Sequence, residues 1–261
     1  MYTQEEFDSI VSQLDELSGG RPLFYLKFCS EPNYAEDVLN GKLFANTPKY
    51  FRELERRTRK RGQGDEGELT LTVDANELNA FDTNTGDLSF SLSDVKLKVK
   101  YNDDDSTPIV CFVGMLLKDM KFVSADDTHA EFDFPFTQEE YDKIESDFGK
   151  HCVIIGAREL ERRIAQTCKN NDVEYLFEPV KYVVPNSIEK MMAYANCSNE
   201  RFLYKDLDLS FQREYRLAID GEIPKDHYIP IGKLKSAKVI DSAALRSLRF
   251  SINYTSSRSE D

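Results

Sequence analysis

Several residue types that would define a class of protein are scarce or absent. The chain has no Trp, three His and five Cys, and its cysteines are too scattered to form a CxxC pair for zinc or redox chemistry. No apolar run approaches the ~20 residues that a membrane span requires, and residues 1–20 lack the basic and apolar regions of a leader peptide. We therefore expect a cytoplasmic protein without a disulfide framework, a metal site or a membrane partner.

Basic residues are also in the minority, at 34 against 47 acidic residues, which gives a formal net charge of −13. Such a field repels nucleic-acid phosphates unless positive charge is concentrated locally. Residues 52–61 are that exception, with six basic and two acidic residues. This segment is either a solvated helix face or a confined site for an anionic substrate. In the second case the candidate substrate-binding residues are Arg52, Arg56, Arg57 and Arg59.

Hydrophobic periodicity and turn residues predict a mixed α+β chain. The predicted helices cover about 3–17, 34–40, 51–61, 138–147, 157–168 and 188–194, and the predicted strands include 22–28, 42–46, 109–116, 173–184 and 210–219. No internal repeat or linker divides the sequence. We expect a single domain over residues 1–261, with a β-rich insertion at 62–106 and a flexible tail at 253–261.

A G-x-G-x-x-G pattern occurs at Gly62, Gly64 and Gly67, the spacing of a dinucleotide-binding loop. In such a loop a strand precedes the glycines and a helix follows, so that free backbone N–H groups meet a pyrophosphate. Here a helix-like basic segment precedes and a strand-like segment follows. The pattern therefore predicts an exposed turn and not a nucleotide loop.

The segment 210–219 is the most informative part of the sequence. If it is a strand, the period of two places Ser210, Gln212, Glu214 and Arg216 on one face. An ordinary solvent-facing strand with a Glu–Arg pair explains this face. The alternative is a polar face that lines an active site.

Four features resemble the ADP-ribosyltransferase superfamily in their order along the chain. They are the strand-like run 24–28, a short helix ending at Gly41, the strand-like run 42–46, and the late Gln212-Arg213-Glu214. The residues Phe44-Ala45-Asn46-Thr47 stand where one branch of that superfamily has Ser-Thr-Ser. The first strand offers Tyr25 or Lys27 where the superfamily carries Arg or His.

Shorter motifs are similar to those of a group of uncharacterised bacterial and phage-associated proteins. That group carries Tyr-x-Lys-Tyr/Phe, Tyr-Phe-x-x-x-Glu, Gly-Asp-x-x-Glu and Gln-x-Glu-Tyr-Arg. The counterparts here are Tyr25 with Lys27, Tyr50-Phe51 with Glu55, Gly64-Asp65 with Glu68, and residues 212–216. A role as a toxin or phage-conflict factor is implied only by this resemblance.

The superfamily resemblance implies an ADP-ribosyltransferase-like fold, a split of two small, mostly antiparallel sheets with flanking helices. It also implies that NAD is the substrate and that ADP-ribose passes to a nucleic-acid or protein acceptor. Glu214 would be the catalytic carboxylate that stabilises an oxocarbenium-like ribose, with Gln212 orienting the ribose or the acceptor. The residues implied to bind NAD are Lys27, Tyr25, Asn46, Thr47 and Arg216. A neutralising protein partner would accompany a toxin.

Two other functions remain open at the level of sequence. The carboxylates Asp65, Glu66 and Glu68 could serve a metal-dependent nuclease, with Arg59, Lys60 and Arg61 holding the phosphate backbone. The chain could also be a non-catalytic interaction module that keeps the fold. The absence of Arg or His from the first strand favours that module.

Overall fold

The computed structural model of this chain describes residues 8, 11, 20–126 and 128–253. Apart from residues 8, 11 and 253, the helix predicted over 3–17 and the tail predicted at 253–261 lie outside the described residues. No helix in the described ranges is both long enough and apolar enough to cross a bilayer.

The described residues form a mixed α+β structure, as the hydrophobic pattern predicts. The α-helices are α1 (Pro32–Leu39), α2 (Pro48–Thr58), α3 (Gln138–Phe148), α4 (Ala157–Asn171) and α5 (Ile188–Ala195). The strands are β1 (Phe24–Cys29), β2 (Lys42–Phe44), β3 (Leu71–Phe81), β4 (Leu88–Val99), β5 (Ile109–Met115), β6 (Lys121–Ala125), β7 (His129–Asp133), β8 (His151–Gly156), β9 (Tyr175–Pro179), β10 (Lys181–Val183), β11 (Tyr204–Asp206), β12 (Glu214–Ile219), β13 (Tyr228–Pro230), β14 (Ala237–Asp241) and β15 (Arg249–Asn253). Short 3-10 segments are Asp103–Ser106, Leu117–Asp119, Asn199–Leu203, Leu207–Gln212 and Ser242–Arg246.

The chain divides into two compact units, each assembled from separate segments. Unit 1 comprises Met1–Phe44, Cys111–Asp172 and Tyr228–Asp261, and unit 2 comprises Ala45–Val110 and Val173–His227. The organisation of residues 1–261 as one domain stays a prediction.

Unit 1 is built on an antiparallel sheet in the order β14-β8-β1-β5. Helices α1 and α4 pack against β1 and β8, and side chains such as Leu26, Val153 and Leu160 are fully buried there. Two smaller antiparallel sheets, β15-β7-β6 and β13-β2, complete the unit. Gly41 follows the end of helix α1, as its position predicts, and takes a left-handed φ of 73°. A side chain would not fit here, because a Cβ on Gly41 would lie 1.9 Å from the Gly232 carbonyl oxygen.

Unit 2 contains three two-stranded pairings. Strand β12 pairs antiparallel with β9, β10 pairs in parallel with β11, and β3 and β4 form a long antiparallel hairpin. Helix α2 packs on the 3-10 segment 103–106, and α5 packs on β3. The turn at residues 84–87, expected from its Asn, Thr and Gly residues, joins the two strands of the hairpin.

Helix α2 begins and ends earlier than the predicted range 51–61. Thr47 caps its start by accepting a hydrogen bond from the Tyr50 backbone N–H at 3.2 Å, and Pro48 occupies the first turn. Arg59 takes a left-handed φ of 55° and ends the helix at Thr58. The basic residues 59–61 therefore lie in the following turn and not on the helix.

The prediction of a strand over 210–219 is wrong for its first four residues. Residues 207–212 form a 3-10 segment, and Arg213 has a left-handed φ of 44°, so the strand begins only at Glu214. All six residues of β12 are buried. The alternation of polar and apolar residues consequently does not separate a solvent face from a core face.

Candidate functional site

A network of ionic hydrogen bonds lies buried in unit 2 around Arg216. The Arg216 side chain is 1% exposed, and its Nε donates to Glu214 Oε1 at 2.7 Å. Its Nη1 and Nη2 donate to the two carboxylate oxygens of Glu68 at 2.6 and 3.1 Å, and Nη1 also donates to the Phe202 carbonyl at 2.7 Å. One guanidinium therefore joins two carboxylates that come from distant parts of the chain.

Lys205 completes the environment of Glu214. Its Nζ donates to Glu214 Oε2 at 2.7 Å and to the Gln212 side-chain oxygen at 2.8 Å. Burial raises the pKa of Glu214, but Arg216 and Lys205 outweigh that effect and hold this pKa well below its usual range. Glu214 is thus an ionised carboxylate with both oxygens occupied.

The glycine-rich turn before β3 is part of the same cluster. The side-chain amide of Gln212 donates to the Gly62 carbonyl at 3.0 Å, and the Asp65 N–H donates to the Phe51 carbonyl at 3.1 Å. A Cβ on Gly64 would lie 2.4 Å from the Glu55 backbone nitrogen. The prediction of an exposed turn is wrong for Gly62 and Gly64, which are buried. The close backbone approach at Gly64 leaves no room for a side chain, and Gly62 takes a positive φ of 116° that favours glycine.

Asp65 is a second buried carboxyl of this turn, and among the described residues its hydrogen bond comes from a backbone group and not from a cation. Its Oδ1 accepts the Gly67 N–H at 2.9 Å. Burial raises the pKa of Asp65 to about 6, with the charge of Glu68 adding to the rise and Lys205 opposing it. Protonation of Asp65 therefore occurs in a pH range where other aspartates are ionised.

The network extends from Glu68 to the basic helix α2 through Arg52. The Arg52 side chain, 6% exposed, donates from Nη1 to the Glu68 carbonyl at 2.8 Å and from Nη2 to Asp105. Lys100 Nζ also donates to Asp105, at 3.1 Å. The Arg52 guanidinium is held in place from two sides.

Arg52 forms part of the lining of a cavity of about 380 Å³ in unit 2. Thr70, five cationic residues and three acidic residues line this cavity. The cationic residues are Lys49, Arg52, Arg56, Lys98 and Lys100, and the acidic residues are Glu53, Glu66 and Asp105. Arg56 pairs with Glu66 at 3.2 Å. Among the described residues, Lys49 and Lys98 have no ion-pair partner within 4 Å. We call this space the basic cavity.

The residues that the resemblance implies for catalysis and NAD binding lie in three places. Gln212, Glu214 and Arg216 lie in the buried network of unit 2. Asn46 pairs through its backbone with Ile109 beside that unit's helix α2, where Thr47 is the cap.

Tyr25 and Lys27 belong to unit 1. The Tyr25 hydroxyl donates to Glu161 at 2.9 Å. Lys27 Nζ donates to the Cys111 carbonyl at 2.8 Å and lies 5.5 Å from the centre of the Phe112 ring. Both polar groups are therefore engaged within unit 1 itself.

The four arginines predicted to bind substrate are divided between the basic cavity and the exposed surface outside it. Arg52 and Arg56 line the basic cavity. Arg57 and Arg59 are exposed, one in the last turn of helix α2 and the other just after it, and neither lines the cavity. Only part of the basic cluster thus surrounds a concave site.

The three carboxylates of the nuclease hypothesis have different partners. Glu66 pairs with Arg56, Glu68 pairs with Arg216, and Asp65 accepts from the Gly67 N–H. Within the described ranges, no group of three or more His, Cys, Asp or Glu side chains is placed to hold a metal ion.

Sequence reasoning missed Lys205, Lys98 and Lys100. Lys205 lies in the three-residue strand β11, and no neighbouring motif marks it as a partner of Glu214. Lys98 and Lys100 belong to the alternating run Lys96-Leu97-Lys98-Val99-Lys100, which could have been combined with the basic cluster as a second source of positive charge. Their proximity to helix α2 arises only from folding.

Comparison with known proteins finds no matching family model, no matching curated protein and no matching solved structure. The chemistry of the site is therefore interpreted from its own geometry.

We expect Arg216→Met to destabilise the protein strongly. The substitution leaves Glu68 without its guanidinium and Glu214 with Lys205 alone, and breaking a buried ion pair in this way costs about 3–5 kcal/mol. Chemical denaturation monitored by circular dichroism measures the change. Lys181→Met is the matched control, because the Lys181–Glu200 pair of unit 2 is exposed and contributes little. Equal effects of the two substitutions would contradict a structural role for Arg216.

We expect the contribution of Asp65 to stability to fall as the pH rises from about 4 to about 6. In that interval the folded state keeps a proton that an unfolded aspartate, with a pKa near 3.8, has already lost. Asp65→Asn should therefore be at least as stable as wild type above pH 6 and should lose less stability between pH 4 and 6. Unfolding free energies of both proteins across this range test the expectation. The same pH dependence in both proteins would refute it.

Proposed function

We propose that unit 2 binds a small phosphate-bearing ligand in the basic cavity. The observation that carries this proposal is the pair Lys49 and Lys98, two cations that line a concave space and have no ion-pair partner within 4 Å among the described residues. A phosphate group would supply the missing negative charge. The excess of cationic over acidic lining residues contrasts with the net charge of −13 for the chain.

The size of the basic cavity favours a ligand of nucleotide scale. Its volume of about 380 Å³ lies near the lower end of the range of roughly 300–1,000 Å³ for small-molecule sites. Arg52 supports binding because Glu68 and Asp105 already hold its guanidinium, so little side-chain entropy is lost when a ligand arrives. The lysines contribute as point charges and set no strict geometry.

We expect ADP-ribose, which carries a pyrophosphate, to bind the wild-type protein with an affinity that falls as salt concentration rises. The double substitution Lys49→Met with Lys98→Met should weaken binding by about tenfold or more, since two charge contacts to the ligand are lost. Isothermal titration calorimetry measures both effects. Lys60→Met, which removes a charge from the same basic segment but not from the cavity, should bind like wild type. Failure of wild type to bind ADP-ribose or inorganic pyrophosphate would overturn the proposal.

A second candidate function is transfer of ADP-ribose from NAD to a nucleic-acid or protein acceptor. Its support is that three short motifs, at residues 50–55, 64–68 and 212–216, lie next to one another in unit 2 and are joined by hydrogen bonds. Glu214 would face the positive charge that develops on the ribose, and Gln212 would orient the acceptor. Lys205 would have to release Glu214 Oε2 before that oxygen could accept a ribose hydroxyl.

We expect labelled NAD to transfer its ADP-ribose to components of a cell extract in the presence of wild type but not of Glu214→Gln. The substitution removes the charge that stabilises the oxocarbenium-like centre while keeping the side-chain shape. Glu222→Gln, at an exposed carboxylate of unit 2, should retain activity. Circular dichroism first shows that all three proteins are folded. Transfer that survives Glu214→Gln, or no transfer by wild type, would reject this role and leave ligand binding without catalysis.

A further inference from the structure

The hairpin formed by β3 and β4 exposes an unusual amount of apolar surface. It is a two-stranded sheet, and neither strand pairs with a third strand in the part of the chain that the structure describes. Five large apolar side chains near its turn are 41–59% exposed: Leu78, Phe81, Leu88, Phe90 and Leu92. Isolated hairpins are marginally stable in water, and clustered exposed apolar residues mark interaction surfaces.

The register of the hairpin places three of these side chains, Leu78, Phe90 and Leu92, on one face. Leu78 lies opposite Leu92 and Ala80 lies opposite Phe90, and a register shift separates these pairs from the pair of Phe81 with Leu88. Along β4 the apolar residues 90 and 92 alternate with the serines 91 and 93. One face of this strand is therefore apolar and the other carries hydroxyl groups. We call residues 77–94 the hairpin tip.

The charge of the hairpin tip limits what can cover the apolar face. Residues 77–94 include Glu77, Asp82, Asp87 and Asp94 and contain no Lys or Arg. Nucleic acid and anionic lipid would be repelled by this charge, and a second identical tip would be repelled as well. A polypeptide that combines apolar and basic side chains complements both properties of the surface.

We propose that the hairpin tip binds an extended basic polypeptide segment whose apolar side chains cover Phe90 and Leu92. Within the described residues, the strand edges of the hairpin tip face no third strand, and such edges carry main-chain groups of the kind that a bound segment uses when it adds to a sheet. The acidic side chains contribute orientation and attraction to the basic residues of the segment. This surface is separate in composition from the basic cavity, so its role does not depend on phosphate binding.

The test uses synthetic peptides of about eight residues, which is within the usual length range of a β-strand, with the full chain as receptor. An alternating Lys-Val peptide should bind wild type in fluorescence anisotropy. An alternating Glu-Val peptide and an alternating Lys-Ser peptide should bind at least about tenfold more weakly, since each lacks one of the two required properties.

Two sets of variants locate the binding site. Phe90→Ser with Leu92→Ser should weaken the Lys-Val peptide by about tenfold or more, while Tyr34→Ser, at an exposed aromatic residue of unit 1, should not. Asp87→Asn with Asp94→Asn should weaken binding and reduce its dependence on salt. This charge variant leaves the apolar face intact, so it tests the proposal even if the serine variants fold poorly.

Three results would overturn the proposal. The first is no binding of the Lys-Val peptide by wild type, and the second is equal binding of the Glu-Val peptide. The third is self-association of wild type in analytical ultracentrifugation that Phe90→Ser abolishes, because the face would then be an interface between copies of this chain.

Discussion

The double ion pair of Arg216 is the interaction on which unit 2 depends. Two carboxylates, Glu68 and Glu214, are buried from opposite parts of the chain, and each would be costly without a cation in contact with it. The guanidinium satisfies both because its planar fork donates in several directions at once. The Arg216 side chain is therefore required by three parts of unit 2: strand β12, the glycine-rich turn and helix α2.

This ionic core also organises the surface around the basic cavity. The Glu68 carboxylate faces Arg216, while the Glu68 carbonyl receives the Arg52 guanidinium. The same residue thus connects the motif at 212–216 with the helix that carries the positive charge. A residue can in this way influence ligand binding through position alone, without contact to the ligand.

The long hairpin separates two opposite electrostatic surfaces within unit 2. Lys98, near the end of β4, lines the basic cavity, whereas the tip at residues 77–94 is acidic and apolar. Strand geometry makes this separation effective for the acidic residues of the turn. Each strand residue adds about 3.3 Å, so Asp87, eleven residues from Lys98, lies well beyond the Debye length of about 8 Å at physiological salt. The two proposed sites of this acidic chain therefore differ in the sign of the charge that they would attract.

The sequence by itself determined the α+β class, the approximate positions of most helices and the hairpin turn. It could do so because periodicity, caps and turn residues act over a few neighbours. The local reversal of charge at residues 52–61 could also be read from the sequence. The sequence could not determine that Lys205 engages Glu214, that Gly62 and Gly64 are buried, or that Lys98 joins the basic helix. Lys205 and Glu214 are only nine residues apart but lie in different strands, and the other contacts join more distant segments, so only tertiary packing selects them. The alternation at 210–219 was misleading because the left-handed backbone at Arg213 delays the strand and the complete burial of β12 removes any solvent face.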